Sequence, residues 1–190
     1  MSSIKLTADS GGGTFEIKAP SSGSNARVLT VPDTASGTVL TTTNPRAGNV
    51  LQVVTASTQT RTTVSSNTGT YYAISGLTAD ITPSATSSKI LIIASSNYYI
   101  IGGTAGGISI FRGGSTIAPA AASGVGRFTV VQHTNTAQGN WAIHHLDSPN
   151  STSQLTYDIR MARLAGSDNF YIPADPSYQP AILTLMEVAG

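Results

Sequence analysis

Metal or acid–base chemistry in this chain would have to come from three histidines and nine carboxylates, because cysteine is absent. His144 and His145 stand beside Asp147, with His133 upstream, and form the densest group of metal-ligand types. Adjacent residues of a strand point to opposite faces, so His144 and His145 cannot share one ion within a chain. On a threefold axis one of them can meet its symmetry mates, and three imidazoles can then hold a metal or an anion. A strand histidine more commonly serves as a hydrogen-bonded or surface residue, and no metal ligand is assigned. Glycoside hydrolysis needs two carboxyl groups about 5–10 Å apart across a sugar. Asp168 and Asp175 flank Phe170-Tyr171 and are the best pair among Asp80, Asp147, Asp158, Asp168, Asp175 and Glu187. Yet Gly166-Ser167-Asp168-Asn169 and Pro173-Ala174-Asp175-Pro176 are ordinary turn formers, and no catalytic residue is assigned. The Gly102–Gly107 cluster lacks the Gly-Lys-Ser/Thr ending and the following helix of a phosphate loop, and reads as a flexible hairpin. No cofactor is expected.

Aromatic side chains offer a better route to recognition, since they join an apolar face to a polar handle. Tyr98, Tyr99, Trp141, Tyr171 and Tyr178 are the candidates. Trp141, the only tryptophan, sits at a strand start after Gly139-Asn140, where core packing competes with surface contact. Loops carry recognition more readily than strands, which singles out the stretch Tyr171–Tyr178.

These residues must be positioned by strands. Lys89–Ile101 is the densest run of β-branched and aromatic residues and reads as one buried core strand, or two broken at Ser95–Asn97. It is too short and too polar in the middle to span a membrane as a helix. From Asn49 onward, short apolar runs recur between turn signals: Val50–Ser57, Thr60–Ser65, Tyr71–Leu77, Ile81–Thr82, Ile108–Arg112, Arg127–Thr134, Asn140–Asp147, Leu155–Ala162, Asn169–Ile172 and Ala181–Val188. Such spacing predicts an all-β fold, a jelly-roll-like antiparallel β-sandwich of about 140 residues. Ahead of it, Ile4–Thr7, Thr14–Ala19, Ala26–Val31 and Thr38–Thr42 are pieces of about five residues that gather too few apolar side chains for a core of their own. They predict an extended N-terminal arm over residues 1–45, joined through Asn44-Pro45-Arg46-Ala47-Gly48 to a distal domain over residues 46–190.

Charged residues make up only 10% of the chain and the net charge is +1. Without a basic stripe, nucleic acid is not an expected partner, and neither is membrane insertion. Met1-Ser2-Ser3-Ile4-Lys5-Leu6 has no apolar signal core, so export is not expected. Strands that are apolar on both faces, as Lys89–Ile93 and Ile182–Met186 are, must lie centrally or against another subunit. With so few surface charges, self-association is expected.

Residues Leu29–Thr42, Leu-Thr-Val-Pro-Asp-Thr-Ala-Ser-Gly-Thr-Val-Leu-Thr-Thr, resemble segments common in bacteriophage tail-fibre and head-fibre proteins. The remainder is similar to a distal domain of virion proteins from marine and cyanobacterial phages, through Gly48–Val54, Ile81–Ile92, Phe111–Thr116, Leu146–Pro149 and Leu185–Val188. The resemblance implies a non-enzymatic homotrimer on the particle surface, assembled in the host cytoplasm, whose arm binds capsid or tail subunits while the distal domain projects. No long shaft repeat separates the two, which favours a short fibre or a capsid decoration. On this reading Ile4, Leu6, Phe15, Ile17, Val28, Leu29 and Val31 are the attachment candidates, and Tyr171, Tyr178 and Trp141 the candidates for contact with a host glycan or protein. The alternatives are a cement protein that stabilises the head without binding a host, and a tailspike-type carbohydrate-active enzyme.

Overall fold

A computed structural model describes residues 3–7, 14–18, 45–66, 69–118, 127–174 and 179–190. The chain divides into two compact units, Met1–Val39 and Leu40–Gly190. In the first, β1 (Ser3–Thr7) and β2 (Thr14–Lys18) pair antiparallel, with Ile4 opposite Ile17 and Leu6 opposite Phe15. Four of the attachment candidates are therefore cross-strand neighbours in one hairpin. Val28, Leu29 and Val31 lie outside the described residues.

Every described element of the second unit is a strand: β3 (Val50–Thr58), β4 (Thr62–Val64), β5 (Tyr72–Ile81), β6 (Lys89–Ile100), β7 (Ala105–Arg112), β8 (Ser115–Thr116), β9 (Thr129–Gln132), β10 (Ala137–Asp147), β11 (Leu155–Ala165), β12 (Phe170–Ile172) and β13 (Ala181–Val188). One sheet runs β3-β13-β6-β10, with β12 and β4 continuing beside the far end of β6; the other runs β5-β11-β7, with β8 and β9 both paired to β7. All the pairings are antiparallel. Number the eight principal strands in chain order, β3, β5, β6, β7, β9, β10, β11 and β13. The two sheets then read first-eighth-third-sixth and second-seventh-fourth-fifth. That order is a jelly roll, two Greek keys folded into a sandwich.

The core lies between the sheets and follows from a two-residue period. Along β6, Ile90, Ile92, Ala94, Ser96, Tyr98 and Ile100 face inward and are buried, while Lys89, Leu91, Ile93, Ser95, Asn97 and Tyr99 face outward. The strand is continuous through Ser95–Asn97, and β13 and β10 flank it, so it is the central strand of its sheet. Leu183 and Leu185 of β13 meet Ile108 and Ile110 of β7 and Tyr157, Ile159 and Met161 of β11 in the same cluster. Each large side chain so buried contributes roughly 1.5–3 kcal/mol.

Two sequence expectations need correction. Tyr71–Leu77 and Ile81–Thr82 are one strand, β5, in which residues 74–77 bulge opposite Ile159 and Gly76 takes a φ of 76°. A bulge interrupts the alternation that a sequence reading follows. The Gly102–Gly107 cluster is not simply a hairpin. Gly102 and Gly103 bend the chain, but Gly106 and Gly107 lie in the buried strand β7. A Cβ on Gly106 would come within 2.5 Å of the Phe170 ring, and one on Gly107 within 2.7 Å of the Tyr71 hydroxyl. The absent side chains admit neighbours distant in sequence.

Candidate functional site

The outward face of the β3-β13-β6-β10 sheet has two ends of different character. At the end where Pro45–Asn49 leads into β3, Gly48 N–H donates to Ala189 O (2.8 Å) and Ala189 N–H donates to Asn49 O (2.9 Å). Next to that junction the strand register lines up Leu146, Leu91, Met186 and Val53 across all four strands. Five of the seven large apolar residues exposed among the described residues fall on this face: Val50, Val53, Ile93, Leu146 and Ile182. Its basic members on these four strands are Lys89 and His144. Scattered apolar exposure is ordinary, but a contiguous row across a sheet marks a contact surface.

About 20 Å further along β6, at a rise near 3.3 Å per residue, the face turns polar. Asn97 of β6 is directly opposite Asn140 of β10, and Tyr99 is opposite Gln138. On the other side of β6, β13 and β12 share the edge: Ile182 is opposite Ser95, and Tyr171 is opposite Tyr99. Just past β12, Ala174 N–H donates to Asn97 Oδ1 (2.8 Å). Two adjoining hollows of about 560 and 540 Å³ result, sharing Asn140 and Gln179 in their linings.

Tyr171 forms part of this end. Its ring lies 5.6 Å from that of Tyr99, the Arg61 guanidinium sits 5.4 Å above it, and Asn169 Nδ2 donates to its hydroxyl (2.9 Å). Arg61 also donates to Ala174 O. Trp141, by contrast, is 5% exposed because odd-numbered positions of β10 face inward; it packs in the core and offers no open face. Tyr98 is buried for the same reason on β6, its hydroxyl 2.8 Å from His133 Nε2. Tyr178 and Asp175 lie outside the described residues.

The histidines do not converge. His144 is exposed on the outward face, whereas His145 turns inward with its ring 5.1 Å from Phe128. Among the described residues no three His, Cys, Asp or Glu side chains are grouped to hold a metal ion. Asp147, at the end of β10, joins the two sheets: it accepts from Arg112 of β7 and from the Tyr157 hydroxyl of β11 (2.7 Å). Burial, then the neighbouring Asp147 carboxylate, pushes the Tyr157 hydroxyl well above its ordinary pKa. Glu187 is almost wholly buried yet accepts four hydrogen bonds of 2.6–2.7 Å, from Ser84 N–H, Ser84 Oγ, Ser88 Oγ and Gln52 Nε2. Burial alone would raise its pKa, but these donors outweigh it and hold the carboxyl below its ordinary value. Both acids are thus committed to structure.

The amides at the polar end were not among the sequence candidates. Gln138 and Asn140 stand two apart on one strand, which places them on one face, and that signal was legible. Their neighbours Asn97, on β6, and Gln179, just ahead of β13, carry no such mark.

No family model matches the chain, and no curated protein does. Solved structures of infectious bursal disease virus are similar to it at low identity. The Gx strain structure shares 12% identity at a TM-score of 0.35, covering 98% of this chain and 46% of that one. The VP2 subviral particle shares 10% at 0.38, covering 93% and 47%. A mutant VP2 protein in derived T=1 particles shares 13% at 0.39, covering 98% and 44%. The chain spans a little under half the length of these proteins. Its jelly-roll assignment stands on strand order, not on these likenesses.

Proposed function

We propose that the chain is a non-enzymatic structural protein of a bacteriophage virion: a short homotrimeric fibre or decoration, tethered by residues 3–43 and displaying the sandwich at the particle surface for host contact. Jelly rolls also build lectins and cupins, so topology alone does not select this function. The observation that carries the reading is the apolar row Leu146-Leu91-Met186-Val53, at the end of the sandwich where the tether joins. A nearly charge-free face of this kind suits identical neighbours, and the 10% charge content leaves little to oppose them. The polar end with Tyr171 then projects. The resemblance of Leu29–Thr42 to fibre segments supports the particle assignment, and the β1–β2 hairpin supplies backbone edges through which an arm can join capsid or tail subunits.

Removing residues 1–43 is expected to yield a folded trimer that no longer joins particles. Co-sedimentation with particles lacking the protein checks this, and a truncated trimer that still decorates them would overturn the division of labour. The lack of a shaft repeat equally suits a cement protein, and two measurements separate the readings. Cement raises the temperature at which heads rupture, whereas a host-contact protein changes adsorption.

A further inference from the structure

We propose that the hollow between β12 and β13 on the outward face is a binding site for a neutral saccharide; this deepens the host-contact reading above and rests on it. None of its described lining residues carries a charged side chain, so they offer no partner to a phosphate, a sulfated glycan or a metal ion. Asn97, Gln138, Asn140 and Gln179 line it instead. Each amide presents a donor and an acceptor side by side, the complement of a sugar hydroxyl, which both donates and accepts. Ile182, Pro180 and Ala142 line the adjoining hollow, which shares Asn140 and Gln179, and give it an apolar wall for the C–H face of a pyranose ring. The paired rings of Tyr99 and Tyr171 stand beside it as a second platform. Arg61, which reaches the lining residue Ala174, is occupied there by the carbonyl oxygen and over the Tyr171 ring.

The floor is held in place. The Asn97 oxygen accepts from Ala174 N–H, which fixes the amide plane, and Asn97 and Asn140 are held opposite each other by the β6–β10 ladder. A single site of this size binds weakly, and repetition on a homotrimer multiplies it.

The experiment titrates the whole chain with neutral hexasaccharides (glucan, mannan and galactan series) and with heparin hexasaccharide, reading amide and side-chain NMR shifts and calorimetry. At least one neutral series is expected to bind and to perturb Asn97, Asn140 and Gln179, with no binding of heparin. Asn140→Ala, at an exposed position, is expected to weaken that binding about tenfold, the loss that accompanies one good hydrogen bond, with assembly and melting temperature unchanged. Heparin binding, no neutral binding at millimolar sugar, or binding unaffected by Asn140→Ala would overturn the proposal. Adsorption of particles carrying Asn140→Ala separates it from its premise. Lost adsorption without sugar binding removes the saccharide and leaves host contact standing. Sugar binding with normal adsorption supports the site and removes its role in host attachment.

Discussion

Phe170→Ala is expected to lower the stability of the sandwich by about 3–5 kcal/mol, the cost of deleting a fully buried ring whose surroundings relax only in part. Phe170 lies in the three-residue strand β12, which joins β4 to the end of β6. Its ring fills the space that a side chain at position 106 would take, since a Cβ there would meet three ring atoms at 2.5–2.7 Å. Gly106→Ala should therefore cost about 1–3 kcal/mol by overpacking. The two changes should not add: the added methyl occupies part of the cavity left by Phe170→Ala, so the double variant should be more stable than the sum of the singles implies. Denaturant unfolding of the three variants checks the sign of that coupling. Additive losses would mean that the glycine is present for another reason.

Glu187→Ala is expected to cost about 3 kcal/mol, because one carboxylate satisfies Ser84 N–H, Ser84 Oγ, Ser88 Oγ and Gln52 Nε2 together. Through these bonds β13 anchors the 82–88 turn that feeds the central strand. Gln52 Nε2 also donates to Thr82 O (2.7 Å), extending the anchor to β3. The pH dependence follows from the lowered pKa. In the unfolded chain the group titrates near 4.5, and in the fold it titrates lower. The stabilisation is complete above the unfolded value and is lost as pH falls through the folded one. Unfolding free energy measured between pH 6 and pH 3 should fall in the parent protein by more than in Glu187→Gln, which has no charge to lose. Equal slopes would show that the carboxylate contributes nothing to acid stability.

The sequence shows the fold class clearly, for local reasons. Lys89–Ile93 and Ile182–Met186 are apolar at successive positions because β6 is central in its sheet and β13 stands next to it, whereas Tyr157–Arg163 alternates in sequence yet also buries Asp158, Ala162 and Arg163. What stays hidden depends on partners remote in the chain. Nothing near Gly106 announces Phe170, some sixty residues on, and nothing near Glu187 announces the serines at 84 and 88. The bulge at Gly76 hides the continuity of β5 by breaking its alternation. The proposed binding surface divides in the same way. Tyr171 is legible as an aromatic near a loop, and Trp141 is drawn into the core by its parity on β10. The amide floor exists only once β6, β10 and the chain before β13 meet.

The central claim is that the sandwich packs against copies of itself through the apolar row near the tether. Sedimentation equilibrium on the 190-residue chain tests it most directly, alongside the paired change Val53→Glu with Leu146→Glu at positions 53% and 48% exposed. The parent is expected at the mass of three copies and the doubly charged variant at the mass of one, both with the same β-sheet circular dichroism. A parent chain that sediments as a stable, folded single copy at micromolar concentration contradicts the account.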